Sequence, residues 1–498
     1  MGNALKLTGQ KINGLLDFIN DRFTSYRLVL YFLTALVGWA VVGSFSQQVP
    51  FTWHAILVSA AELLLICWLA NKLLSKFLNI PANKESDLIT ALILVLILSP
   101  PATTHDFIVN GVAGIAAIAS KYIITFRKSH IFNPAAAGAF VSGELLQQFP
   151  SWWVGTKFLT PVIVIGGLLI LRKTKRFQMV GVFLAVFMLY LIFGTASGAS
   201  LHYLWLVIIS TQVLFFAIIM LTEPLTSPAI ARYFLPYALL VALLYSIPKL
   251  RLSPEEALLI GNFFTFIVAA NRRYELKFIR RLKEADGIYS YAFTMPQKFK
   301  FQPGQYMEWT VAHNKTDSRG NRRYLTISSS PTEPGLMFTV KHPLKASAFK
   351  RRLDKLKTGD KILASRVAGS FTLPKDPSKK LALLAGGVGI TPFRSMVKNL
   401  IDKKEARDVA LLYSANSPQE LSFQKLFDQA ESVGLKASYV TDGHIDQAKI
   451  KKLLPDYAER HFYVSGPYGF VNAAETALLK LGIGYDHITT DYFPGYGG

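Results

Sequence analysis

Ten apolar runs fill the first 270 residues of this 498-residue chain, at about 28–47, 53–74, 87–100, 105–125, 134–148, 154–171, 177–194, 201–221, 233–248 and 255–270. Runs of this length and density are what a bilayer asks of its helices, and more than a water-soluble core absorbs. Several are short and broken by Pro or Gly, notably 87–100 and 134–148. Breaks of that kind survive at membrane depth only where protein or a cavity covers the backbone. The pattern predicts a polytopic α-helical membrane domain of about ten spans over residues 1–270. Charge divides at the same point. Residues 1–270 hold 10 acidic and 18 basic side chains, and residues 271–498 hold 22 and 36. The net charge of +22 is read as basic loops facing anionic lipid. A nucleic-acid role is excluded, because ten apolar runs leave no way to keep 270 residues in water.

Basic clusters fall at Lys72/Lys76/Lys84, Arg127/Lys128, Arg172/Lys173/Lys175/Arg176 and Arg272/Arg273, while the loops near 48–52, 100–104 and 195–200 carry none. With an even number of spans, the positive-inside rule places both termini, and everything after residue 271, in the cytoplasm beneath the cell's inner (plasma) membrane. Lys249 and Arg251 fall on the opposite side. Residues 1–27 lack a small-residue cleavage pattern and read as an amphipathic lead-in, not a signal peptide. The lone cysteine, Cys67, permits no intrachain disulfide and no cysteine-ligated iron–sulfur cluster. Charged groups inside spans are functional candidates, here Glu62, Asp106 and Glu144.

Three phrases in this half are richer than plain apolar helix: Ser86-Asp87-Leu88-Ile89-Thr90-Ala91, Phe132-Asn133-Pro134-Ala135-Ala136-Ala137-Gly138 and Thr222-Glu223-Pro224-Leu225-Thr226-Ser227-Pro228. Through them, over roughly residues 80–270, the chain resembles the membrane-subunit family of the Rnf complex and the sodium-pumping NADH:quinone reductase (the NqrB/RnfD family). The resemblance implies a flavin, FMN or riboflavin, in or beside the membrane, and electron transfer across it. Members often attach FMN covalently at a Thr-Gly-Ala-Thr-like segment. Here the corresponding loop reads Gln148-Phe149-Pro150-Ser151-Trp152-Trp153 and lacks it. Ser197-Gly198-Ala199-Ser200, one outward loop later, is either such a site at Ser200 or a small-residue turn with Ser200 as helix cap, which leaves the flavin non-covalent.

Beyond Arg272-Arg273 the pattern changes, with no long linker. Short alternating strands at 275–283, 287–295, 305–312, 322–329, 336–342 and 360–365 predict an antiparallel β-barrel over 271–375. A buried strand, Leu381–Ala385, then a glycine loop and a helix to about Asn399, with strands at 408–414, 436–441 and 461–465, predict a doubly wound α/β domain over 376–498. Gly386-Gly387-Val388-Gly389-Ile390-Thr391-Pro392 lets backbone N–H groups approach a phosphate, with Thr391 able to cap the helix.

Arg323-Tyr324-Leu325-Thr326, Gly369-Ser370-Phe371-Thr372, Gly387–Pro392 and Gly466-Pro467 follow in order, and over 275–498 the chain resembles the ferredoxin–NADP reductase family. That resemblance implies that Arg323 meets the FAD diphosphate and Thr326 the flavin ring. Tyr324, Leu325 and Ser329 then line the same strand, and Gly369, Ser370, Phe371 and Thr372 form a second FAD-phosphate segment. Gly387, Gly389, Thr391, Gly466 and Pro467 take the nicotinamide nucleotide, and Phe493-Pro494-Gly495-Tyr496 lies near the flavin. Leu325 stands where the family usually stacks an aromatic ring, Ser465 where it has Cys, and Asp491 where it has Glu. NADH and NADPH stay open. Ser414-Ala415-Asn416-Ser417 offers neither a carboxylate nor an arginine, and Arg394 is a candidate for a 2′-phosphate.

The function expected is NAD(P)H oxidation through FAD to a membrane flavin, and on to a quinone or an extracytoplasmic acceptor, alone, as a homodimer or with partner subunits. An ion-translocating or transporter subunit is the alternative. A haem-type ferric reductase requires paired histidines, and His54, His105, His130 and His202 supply no such pair on one span.

Overall fold

The computed structural model describes residues 23–78, 84–126, 129–194, 200–269, 273–296, 299–311, 321–342, 346–443 and 445–493. The chain divides into two compact units, Met1–Arg272 and Arg273–Gly498.

The first unit is helical: α1 Ser25–Phe45, α2 Trp53–Phe77, α3 Lys84–Ile97, α4 Thr104–Ile123, α5 Pro134–Leu146, α6 Thr160–Thr174, α7 Phe177–Phe193, α8 Leu201–Ser210, α9 Val213–Met220, α10 Phe234–Ser246 and α11 Pro254–Ala269. Between α4 and α5, β1 Thr125–Phe126 pairs antiparallel with β2 Ser129–His130. Every apolar run becomes helix, but the expectation of about ten spans is not met. Among the described residues three helices, α1, α2 and α4, are long and apolar enough to cross a membrane, or four if the bent pair α8–α9 counts as one.

The reason lies in how the other helices end. Helix α3 is buried on every side from Ala91 to Leu98. Its last carbonyls are satisfied by the distant 152–154 segment. Trp152 N reaches Ile97 O at 2.9 Å, Val154 N reaches Leu96 O at 3.1 Å, and Trp153 Nε1 reaches Val95 O at 2.8 Å. A helix can stop inside an apolar core when another segment takes over its carbonyls. Helices α8 and α9 bend by 66° at Thr211–Gln212, and α9 finishes in a π-helical turn, Phe216–Met220. Small residues let α4 and α5 approach closely. A Cβ on Gly138 of α5 would lie 2.3 Å from Ala113 O of α4.

The second unit holds, among the described residues, two sheets. Strands β3 Arg273–Ala285, β4 Ile288–Thr294, β5 Tyr306–Thr310, β6 Arg322–Thr326, β7 Gly335–Lys341 and β8 Lys361–Ala368 pair antiparallel in the order β6-β5-β8-β3-β4-β7. Beyond β6, Ser328 N bonds Met337 O of β7 at 2.8 Å, so the two ends of the sheet meet. Trp309, Phe293, Phe338 and Tyr291 fill the interior. A helix the alternating pattern did not announce, α12 Ala348–Leu353, covers one end.

The other sheet is parallel, in the order β11-β10-β9-β12-β13: β9 Leu381–Gly386, β10 Val409–Ser414, β11 Leu435–Val440, β12 His461–Pro467 and β13 Ile488–Phe493. Leu381, Leu383 and Ala385 face one core cluster and Ala382 and Leu384 the other. That is why β9 reads as an unbroken apolar run. Helices α13 Thr391–Lys403, α14 Gln424–Gln429, α15 Gln447–Leu453 and α16 Tyr468–Lys480 complete it.

Candidate functional site

In the parallel sheet the chain order reverses beside β9, whose two neighbours are β10 and β12. Such a switch point opens a crevice at the carboxyl ends of the strands. Both glycine loops stand there. Gly387 has φ +54° and open space where a Cβ would lie, and Gly389 is packed so tightly that a Cβ would sit 2.2 Å from Ser465 O and 2.5 Å from Gly466 Cα. A Cβ on Gly466 would meet Phe470 at 2.8 Å and Gly386 O at 3.2 Å. The two loops are thus in backbone contact, which only glycine permits. Thr391 is the first residue of α13 and does not cap it. Its Oγ1 donates to Val388 O at 3.0 Å, tying the loop to the helix. Pro467 precedes α16, and the backbone of Phe493 pairs with Pro467 across β12–β13. The rest of the Phe493–Tyr496 phrase lies outside the described residues.

On the barrel, Thr326 ends β6 opposite Tyr306. Alternation along β6 splits its residues between two faces. Arg322 and Tyr324 share Glu308, at 3.1 Å and 2.9 Å, and the Tyr324 ring meets Tyr306 edge-on. Arg323 lies on the other face, its guanidinium 5.0 Å from the Phe349 ring, and Leu325 packs against the barrel core. The exposed aromatic on this strand is therefore Tyr324, not position 325. Ser329 is committed elsewhere: its Oγ accepts from Met337 N at 3.0 Å. Gly369 turns at φ +109° beside the Tyr306 ring, and its carbonyl accepts from Gln305 at 3.2 Å. Ser370 is exposed, Phe371 is buried in the nucleotide-domain core against Phe393 and Tyr463, and Thr372 O accepts from Tyr463 at 3.2 Å.

Two buried hydroxyls bear on the cofactors. Thr326 Oγ1 and Ser465 Oγ are both enclosed and have no hydrogen-bond partner. Folded proteins rarely leave such groups unmatched, so a bound ligand is the natural partner. Together with the open Gly387 loop, these groups fit a flavin ring at Thr326 and a nicotinamide nucleotide between Gly387–Gly389 and Ser465–Pro467.

Arg394 does not serve as a free phosphate arm. It is paired with Glu333 and Ser328 O. Sequence reasoning missed Glu308, Glu333 and, in the helical unit, Asn262. The Asn262 side chain accepts from Asn133 N at 2.8 Å and donates to Thr226 O at 3.3 Å, so it joins the Asn-Pro phrase to the Thr-Ser-Pro phrase. Asn262 also lines a small cavity of about 20 Å³, together with Phe126, His130, Leu225, Thr226, Thr265 and Phe266 among others. Glu62 accepts from Asn110 at 3.3 Å, Asp106 closes a capping box with Thr103, Glu144 is exposed, and Ser200 caps α8 through Tyr203 N at 3.1 Å.

Residues 383–476 match the family model of the oxidoreductase NAD-binding domain. The chain is 25% identical over 253 residues to the glycine betaine monooxygenase reductase subunit of Chromohalobacter salexigens, covering 47% of this chain and 68% of that one. It is 29% identical over 236 residues to flavohemoprotein A of Dictyostelium discoideum, covering 43% and 58%. The FAD/NAD-binding domain of nitric oxide dioxygenase from Vibrio cholerae aligns over 44% of this chain and 98% of its own, at 21% identity and a TM-score of 0.39. The chain thus spans about three fifths to two thirds of the length of these two curated relatives. The C-terminal half is a ferredoxin–NADP reductase-like FAD- and NAD-binding module. The chain is, by that module, an FAD-dependent NAD(P)H oxidoreductase.

Proposed function

We propose that this protein is a membrane-bound NAD(P)H oxidoreductase that passes electrons through FAD to a flavin in its helical unit, and from there to a quinone or an extracytoplasmic acceptor. The observation that carries the first half is that, of the five partnerless buried hydroxyls among the described residues, the two in the second unit are Thr326 on the barrel and Ser465 at the switch point. Thr326 would hold the flavin ring, and Ser465 with Gly389 would hold the nicotinamide. FAD, when bound, supplies the chemistry that links a two-electron hydride donor to one-electron carriers. The chain itself binds, orients and excludes water, and no side chain is assigned as acid or base.

Support for the second half comes from α1, α2 and α4, and from the polar junction at Asn262, where two of the three distinctive phrases converge. The cavity there, about 20 Å³, has room for little more than a water, far below the ~300 Å³ at the lower end of cofactor-sized sites, so a flavin would not sit in it without rearrangement of the helices. The reductase module would be cytoplasmic, on the side of the basic loops, with FMN or riboflavin held non-covalently. Deleting residues 1–270 should leave NAD(P)H oxidation with water-soluble acceptors and abolish it with quinones in membranes. Unchanged quinone reduction by the truncated protein would refute the role given to the helical unit.

An ion-coupled version is favoured by one feature. Asp87 is 3% exposed and accepts from Asn71 at 3.0 Å, and Asn71 accepts from Tyr122 at 2.6 Å, inside the α2–α4 bundle. Dependence of quinone reduction on sodium or on a proton gradient would support it.

A further inference from the structure

One side chain fastens the nucleotide helix to the flavin strand. Arg394, in the first turn of α13, donates Nη1 to Ser328 O at 3.1 Å. Its two terminal nitrogens also grip the Glu333 carboxylate, Nη2 to Oε1 at 2.9 Å. The guanidinium lies 5.7 Å from the ring of Phe423, a residue held at φ +63° in the segment after β10. The next residue repeats the attachment, with Ser395 Oγ donating to Ser329 O at 2.7 Å. Glu333 also shapes its own turn by accepting from Ser330 N at 2.6 Å. Both charged side chains are largely enclosed, 12% and 21% exposed. The bridge spans 61 residues of sequence.

At one end of this bridge is the segment that follows Thr326. At the other is the helix that the Gly386–Ile390 loop feeds. A planar guanidinium held by both carboxylate oxygens and a carbonyl fixes direction as well as distance. The same engagement leaves Arg394 poorly placed to receive a 2′-phosphate. We propose that the Arg394–Glu333 pair is a positioning device for hydride transfer, setting the nicotinamide loops against Thr326. Arg394 is thereby a positioning residue and not a catalytic one. This rests on the reading of Thr326 as flavin contact and of Gly389 and Ser465 as nicotinamide contacts. A misplacement of about 1 Å at reacting atoms can cost on the order of a hundredfold in rate.

The test uses full-length, FAD-loaded protein in detergent. Anaerobic flavin bleaching by saturating NADH is followed by stopped flow in Arg394→Ala, Arg394→Lys and Glu333→Gln. We expect Arg394→Ala to bleach about 10- to 100-fold more slowly. Its FAD content should match wild type, its long-wavelength charge-transfer absorbance should weaken, and its NADH-to-NADPH preference should not change. Arg394→Lys should recover part of the rate. Amide exchange should quicken at Ser328–Glu333 but not at Trp309. Bleaching at the wild-type rate overturns the proposal, as does a loss confined to NADPH, which would mark a phosphate ligand. If Arg394→Ala loses FAD or fails to fold, Glu333→Gln decides. Slowed bleaching with FAD retained supports the proposal, and wild-type bleaching ends it. A wild-type protein that holds no FAD, or is not bleached at all, refutes the underlying site reading instead.

Discussion

A buried hydroxyl with no partner costs a fold about 1–3 kcal/mol, so its presence is informative. Thr326 Oγ1 and Ser465 Oγ are two such groups, enclosed and without a protein partner. Replacing Thr326 by Val removes the orphan at little change in volume. The melting temperature of the apoprotein should hold or rise. Flavin reduction by NADH should slow about tenfold, the effect of one lost hydrogen bond of about 1.4 kcal/mol. A lower melting temperature with unchanged reduction would make Thr326 a structural residue. Gly389 is tested by bulk. The methyl of Gly389→Ala would meet backbone atoms of Ser465 and Gly466, which cannot swing aside. The KM for NAD(P)H should rise at least about tenfold, by analogy with the loss of one good contact, with FAD content unchanged. These positions were readable because glycine and hydroxyl spacing is local. Arg394 was not: its carboxylate partner lies 61 residues earlier, so the sequence alone left it looking like a phosphate arm. Asn262 carries no motif around it and gained meaning only when Asn133 and Thr226 were found on either side.

Elements show where periodicity ends its reach. The strands of both C-terminal sheets follow from alternation and from unbroken apolar runs, except β13, whose Ile488-Thr489-Thr490-Asp491-Tyr492-Phe493 gives neither pattern and was not expected. The ten apolar runs were equally visible, but run length does not tell where a helix stops. Helix α3 stops because Trp152, Trp153 and Val154 return to cap it, and α8–α9 bends at Thr211–Gln212. Strand β7 offers a pH test. His342, just beyond it, lies 3.2 Å from Asp354 and 3.1 Å from Tyr291 Oη. Burial outweighs the neighbouring carboxylate and holds the imidazole below its ordinary range. The native state therefore binds a proton less readily than the unfolded chain, whose histidine titrates near ~6.5. The stabilisation is present above that value and declines as pH falls from it toward the native pKa. Melting of the reductase unit between pH 5 and 7.5 should show this slope, and His342→Gln should flatten it. An equal slope in both proteins would assign the effect to another group.

At the scale of the whole molecule, an electron route needs a donor site and a place for electrons to go. The second unit offers glycine loops in contact at the switch point, Thr326 on the barrel, and Arg394 tying α13 to the segment after Thr326, which together form the donor site proposed here. The first unit offers apolar helices, a polar junction at Asn262 and a buried Asp87 network. NAD(P)H is expected to reduce an FAD held by the C-terminal half of this chain. This is tested most directly by acid release and identification of flavin from detergent-purified protein, coupled to anaerobic titration with NADH. One FAD per chain is expected, released by acid and bleached by one equivalent of NADH, with any FMN or riboflavin found in addition to it. Protein that carries no FAD, or FAD that neither NADH nor NADPH bleaches, would contradict this expectation.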